Sequence, residues 1–162
     1  MPLESVREAI RAAFPSIPFV GPATNCQCDE CRSIDDELRK RRWTDVSASL
    51  LDSTCSPTLL TPAAMQAFVP AYMLRALDRL YEGHDVVVEF TTYSLSPHSI
   101  EDEEKNEYQK NKLIECYSLM TPNQVRAVRM FLECVANRAP DAEWLHQFIE
   151  PALRSIWMIP TD

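Results

Sequence analysis

Asn25-Cys26-Gln27-Cys28-Asp29-Glu30-Cys31 places three sulfurs within six residues, and an apolar repeat of helical spacing follows at once. Thiolates gathered in one turn at a helix start can serve three chemistries. They can hold a soft metal such as zinc, they can cycle as a redox pair, or they can remain reduced thiols of which one, Cys31, is buried. Zinc needs sulfurs converging at about 2.3 Å, and Cys26, Cys28 and Cys31 supply three of the usual four ligands. The fourth is open. Cys55, Cys116, His84, His98, His146 or a neighbouring acid are the candidates, and no second C-x-x-C or H-x-x-x-H accompanies the turn. A thioredoxin-like βαβ pattern is also missing around the pair, which weighs against redox exchange.

Two charged runs are the other candidates. Glu101, Asp102, Glu103, Glu104 and Glu107 crowd a helix start. Acids there complement the helix dipole, so a solvated face competes with paired-carboxylate catalysis and with a surface for a basic partner. Arg39-Lys40-Arg41-Arg42 stands near a helix C-terminus, where cations need no ligand. Six cysteines and three histidines allow many accidental Cys-His pairings, none of them selected by spacing.

These residues sit in a chain of 162 with 46% hydrophobic and 25% charged residues, a balance that fits one folded domain spanning 1–162. No run approaches a membrane span, and the N-terminal residues lack an apolar signal core, so a cytoplasmic protein with reduced thiols is expected. The net charge of -8 opposes binding to nucleic acid and anionic membranes and favours a basic protein. Only Gly21 and Gly83 are glycine, which argues against phosphate-cradling loops.

The elements that must position the turn are mainly helices. Leu3, Val6, Ile10, Ala13 and Phe14 predict a helix over 3–14 that stops at Pro15, and the proline-rich 15–24 predicts an extended connection. Cys31, Ile34 and Leu38 share one face of a helix over about 29–40. Thr61-Pro62 reads as a cap followed by proline at the first helical position. The helix it opens carries Met65, Phe68, Val69, Tyr72, Met73, Ala76, Leu77 and Leu80 around much of its circumference, which predicts the centre of the core, kinked or split at Pro70. Val86–Tyr93 is dense in β-branched and aromatic residues and predicts a short strand with no obvious partner, which either meets a short mate such as Phe19-Val20, packs as extended chain, or pairs with another protein. Ser99 resembles a cap for a helix through about Tyr117. Thr121-Pro122 repeats the grammar of 61–62 and opens a helix with Val125, Val128, Phe131, Leu132 and Val135 inward; shared helix-start chemistry explains that echo more simply than duplication. A final stripe, Trp144 to Trp157, predicts a helix over about 141–158, bent at Pro151. The expected fold is mostly α, a single compact domain of about six helices with at most one short β segment near 86–93.

Several blocks together resemble an uncharacterised family of small bacterial proteins: Cys28-Asp29-Glu30-Cys31 with Trp43, Leu59-Leu60-Thr61-Pro62 leading to Phe68-Val69-Pro70-Ala71-Tyr72, and Leu119-x-Thr121-x-x-Gln124-x-x-Ala127-Val128-x-x-Phe131-Leu132. In that family's pattern a histidine often stands two residues before the first of the paired cysteines, where this chain has Cys26. Both residue types bind zinc, so the metal reading stays open. The resemblance implies a helical domain of bacterial origin and transfers no activity. The leading expectation for function is a non-enzymatic, acidic protein-binding domain, in its sharpest form an immunity-type protein neutralising a basic toxin or effector, with structural zinc as the one cofactor the turn suggests. Its rivals are a metal-dependent or thiol enzyme centred on Cys26–Cys31 and a structural subunit of a larger assembly.

Overall fold

A computed structural model describes residues 1–53, 57–80, 85–97, 103–138 and 143–158, apart from the side chains of 53, 103–106 and 143–146. Eight α-helices occur among them: α1 Leu3–Ala13, α2 Asp29–Leu38, α3 Ala48–Ser53, α4 Pro62–Arg79, α5 Val86–Ser94, α6 Glu103–Leu119, α7 Pro122–Arg138 and α8 Glu143–Ser155. Two short 3₁₀ turns, Trp43–Asp45 and Pro57–Leu59, join them. No sheet occurs among the described residues, and the mostly-α expectation is borne out.

The centre is α4, which packs against α1, α3, α5 and α6, while α7 lies between α1 and α8. Its position follows from its sequence. Thr61 caps the helix by accepting from the Ala64 N–H at 3.2 Å, Pro62 needs no such partner, and ten residues from Ala64 to Leu77 are buried. The helix continues through Pro70 and is not split there. On its outer side Arg75 and Arg79 reach Asp52 of α3, the first as a two-pronged fork, and Arg7 of α1 meets Asp78 at 2.6 Å. Arg75 and Arg79 thus fasten α3 to α4, and Arg7 fastens α1 to it.

The start of α7 explains the Thr121-x-x-Gln124 spacing. The Thr121 hydroxyl accepts from the Gln124 N–H at 3.3 Å, and the Gln124 side chain accepts from the Thr121 N–H at 2.9 Å, a reciprocal capping box. Gln66 of α4 donates to the Leu119 carbonyl at 2.6 Å and lies 3.3 Å from Gln124 Oε1, so the α6–α7 corner is tied to the central helix.

One prediction is overturned. Val86–Ser94 is helix, not strand. Asp85 caps it by accepting from the Val87 N–H at 2.8 Å, and the buried residues Val87, Val88, Thr91 and Thr92 fall at i, i+1, i+4 and i+5. A lone strand would have left its ladder groups unpaired, whereas the helix satisfies them internally and packs on α4 and α8, so tertiary burial outweighs β propensity. Phe19-Val20 therefore has no strand to join. The one β-bridge among the described residues links Thr24 to Leu60. Element ends shift as well: α2 stops at Leu38, with Arg39 as its cap and Lys40 at φ 60°. The basic run thus follows the helix, where Arg39 and Arg41 reach back to Asp36 and Glu37. The predicted cap at Ser99 lies outside the described residues.

No helix among the described residues is long and apolar enough to cross a membrane.

Candidate metal centre

The cysteine turn is built from both of its ends. On the entering side, Asp35 of α2 accepts from the backbone N–H groups of Ala23 and Thr24 at 2.6 and 2.9 Å, and the Thr24 hydroxyl lies 3.1 Å from the second carboxylate oxygen and 3.3 Å from the Cys31 carbonyl. The Thr61 N–H donates to the Ala23 carbonyl at 2.8 Å, and Thr24 bridges Leu60. The strand-like approach is therefore clamped between α2 and the start of α4. On the leaving side the turn is the start of α2 itself. Cys28 is the N-cap: its sulfur accepts from the Cys31 N–H at 3.5 Å, while the Cys26 sulfur accepts from the Cys28 N–H at 3.3 Å. Backbone donors aimed at sulfur stabilise thiolate over thiol, and the positive end of the helix dipole adds to them.

All three sulfurs of Cys26, Cys28 and Cys31 lie within 4.8 Å of one another. Tetrahedral zinc with bonds of about 2.3 Å sets neighbouring sulfurs roughly 3.8 Å apart, so closing this cluster on an ion requires side-chain movements of about 1 Å or less. The donor set fits a thiophilic ion. Its three members differ in setting: Cys26 and Cys28 are exposed, and Cys31 is 1% exposed. The Cys28 thiol is held below its ordinary range, chiefly by the hydrogen bond from the Cys31 N–H and then by the neighbouring thiols. Burial pushes Cys31 up to about 12, with the adjacent Cys28 and Cys26 adding to the rise. An incoming cation would displace those protons, as thiolate coordination requires.

No described side chain completes a fourth position. Asp35 is committed to the loop above the turn, and Asp29, whose carboxylate pairs with Arg32 at 3.1 Å, faces solvent. Cys116 is buried in α6 within the hydrophobic core and Cys134 is buried in α7, both apart from the cluster. Cys55, His84 and His98 lie outside the described residues, as does the His146 side chain.

The acidic candidates are less gathered than the sulfurs. Glu103 and Glu104 open α6 and Glu107 follows, exposed, one turn on; Glu101 and Asp102 lie outside the described residues. A different group escaped the sequence reading. Lys112, in the middle of the same helix, is 7% exposed and donates to the carbonyls of Pro57 and Thr58, beside Gln109, which donates to the Ser94 carbonyl at 3.1 Å. The signal was the spacing of Gln109, Lys112, Leu113 and Cys116 at i, i+3, i+4 and i+7, a helical face that includes two polar residues.

No curated protein and no solved structure matches this chain. A family model does, over residues 20–160, which takes in the cysteine turn and every helix except α1. The chain belongs to DUF6714, a family of unknown function.

Proposed function

We propose that this protein is a non-enzymatic protein-binding domain whose Cys26–Cys28–Cys31 turn holds one zinc ion and braces the surface around it. The observation that carries the metal is the convergence of three sulfurs within 4.8 Å at a helix N-terminus, two of them already accepting backbone N–H groups. Zinc would cross-link the approach segment to α2 and couple its binding energy to the fold of this corner. The net charge of -8 supports a basic partner, and opposite charge speeds the encounter such a partner makes. In its sharpest form the role is that of an immunity-type protein covering a basic toxin or effector.

Three convergent cysteine sulfurs with no fourth ligand among the described residues also suit catalytic zinc, which keeps one position open, and this supports the second reading, a metal-dependent enzyme centred on the same turn. Metal content decides first: the native protein should carry one zinc per chain, Cys28→Ser should lose it together with stability, and Cys134→Ala should keep it. A metal-free parent whose Cys28→Ser variant is fully stable would reject the site. Spectra of the cobalt-substituted protein then separate the readings, since a fourth protein ligand means structure and a bound water means catalysis.

A further inference from the structure

At the end of α6 remote from its acidic start, a groove of about 480 Å³ is lined by Phe19, Val20, Gly21 and Pro22, by the first turn of α4, and by Glu115, Ser118 and Leu119. Its size falls in the roughly 300–1,000 Å³ range of ligand clefts. Three independent features mark what it would accept. First, its walls expose apolar surface: Val20 is 86% exposed and Leu119 47%. Second, its edge is unpaired backbone. Phe19 exchanges both backbone hydrogen bonds with the 40–41 segment and Ala23 accepts from Thr61, but among the described residues the N–H and C=O groups of Val20 and Gly21 between them have no partner. Gly21, at φ 138°, holds a conformation that side-chain-bearing residues rarely adopt, so the edge is shaped for glycine. Third, the groove carries one acid beside a helix C-terminus, while the first turn of α4 sets the opposite, positive helix end against its other wall. Glu115 is exposed and forms no ion pair among the described residues, and α6 ends with no basic residue in its last turn to offset the negative end of its dipole.

We propose that this groove binds an extended segment of a basic protein, which pairs backbone to backbone with Val20 and Gly21, seats an apolar side chain against Pro22, Pro62 and Leu119, and sets a Lys or Arg against Glu115 and the end of α6. Where extended peptides add to sheet edges, main-chain bonds supply affinity and alternate side chains specificity; the exposed Val20–Gly21 backbone is not a strand but offers the same donor and acceptor groups. The inference deepens the basic-partner reading above and rests on it, while naming a surface distinct from the acids at the start of α6.

The test is an NMR titration of the ¹⁵N-labelled full chain with the blocked peptide Leu-Arg-Leu-Arg-Leu and with its counterpart Leu-Glu-Leu-Glu-Leu. The arginine peptide should shift the amides of Val20, Gly21, Ala63 and Leu119, and the glutamate peptide should bind at least about tenfold more weakly, as like-charge juxtaposition requires. Glu115→Lys, an exposed change that leaves the spectrum's dispersion intact, should weaken the arginine peptide by a similar factor and reverse the preference. Equal responses to both peptides would overturn the proposal. Shifts confined to the stretch from Glu103 to Glu107 would overturn it too while leaving the basic-partner reading standing, whereas no response to the arginine peptide anywhere would count against both. Groove amides that shift on concentrating the chain alone would assign the groove to a second copy and equally overturn it.

Discussion

Replacing Lys112 with Met should change how stability depends on pH, in a direction set by the buried amine. Its ammonium lies among the residues of α6 and the Pro57–Leu59 turn, where burial brings it down to about 8 from an ordinary value of 10.5. The folded chain therefore gives up this proton before the unfolded chain does. Below pH 8 both states are protonated and the cost of the buried charge is constant; between 8 and 10.5 the unfolded state binds more protons, so stability rises with pH. From pH 7 to 9 the gain amounts to about 1.3 kcal/mol at most, and about 1 kcal/mol once the favourable bonds to the Pro57 and Thr58 carbonyls are set against burial. Thiols work the other way. Burial also pushes Cys116 up to about 12, so its ionisation in the unfolded state above pH 9 lowers stability. That loss is present in parent and variant alike. The informative quantity is thus the difference between parent and Lys112→Met, measured by urea unfolding at pH 7 and pH 9: it should move by about 1 kcal/mol in the parent's favour. An unchanged difference would refute the account of Lys112 as a buried, charged tie between α6 and the turn.

Two further outcomes are expected. Asp52→Asn should cost about 1–2 kcal/mol by weakening the partly buried fork from Arg75 and the bond from Arg79; because hydrogen bonding from Arg75, above all, lowers the Asp52 pKa, its stabilisation is present at neutral pH and lost in acid, so the variant's acid unfolding limb should be flatter than the parent's. Gln124→Ala should cost about 1 kcal/mol, since it removes one half of the capping box at the start of α7 and the contact with Gln66; thermal unfolding at neutral pH measures it, and an unchanged midpoint would dismiss the box as a contributor.

How much of this architecture could be read from the residues depended on whether a local rule and the final packing agreed. They agree at Thr61-Pro62 and at Thr121-Pro122, where cap chemistry and an apolar repeat point to the same helix, and α4 and α7 stand where expected with their inward residues buried. They agree again at Cys26–Cys31, because a short turn at a helix start leaves three sulfurs few ways to separate. They conflict at Val86–Ser94. There β-branched side chains favour a strand in isolation, while a capping aspartate and a buried face at helical spacing prevail in the folded chain. On α6 the inward positions include Gln109 and Lys112, so polarity concealed a buried face whose acceptors, Ser94, Pro57 and Thr58, are supplied by distant elements. The fork between Arg75 and Asp52 spans 23 residues, and the groove joins segments near 20, 62 and 117. Such meetings are settled by tertiary packing, which no local spacing announces.

The central claim is that Cys26, Cys28 and Cys31 converge on one ion. X-ray absorption at the zinc edge, recorded on protein purified without added metal, measures it most directly because it counts the sulfurs bound and their distance. The expected result is one zinc per chain with at least three sulfurs at about 2.3 Å, reduced in Cys28→Ser. Zinc bound mainly through oxygen and nitrogen, or no zinc in a fully folded chain, would contradict the metal centre.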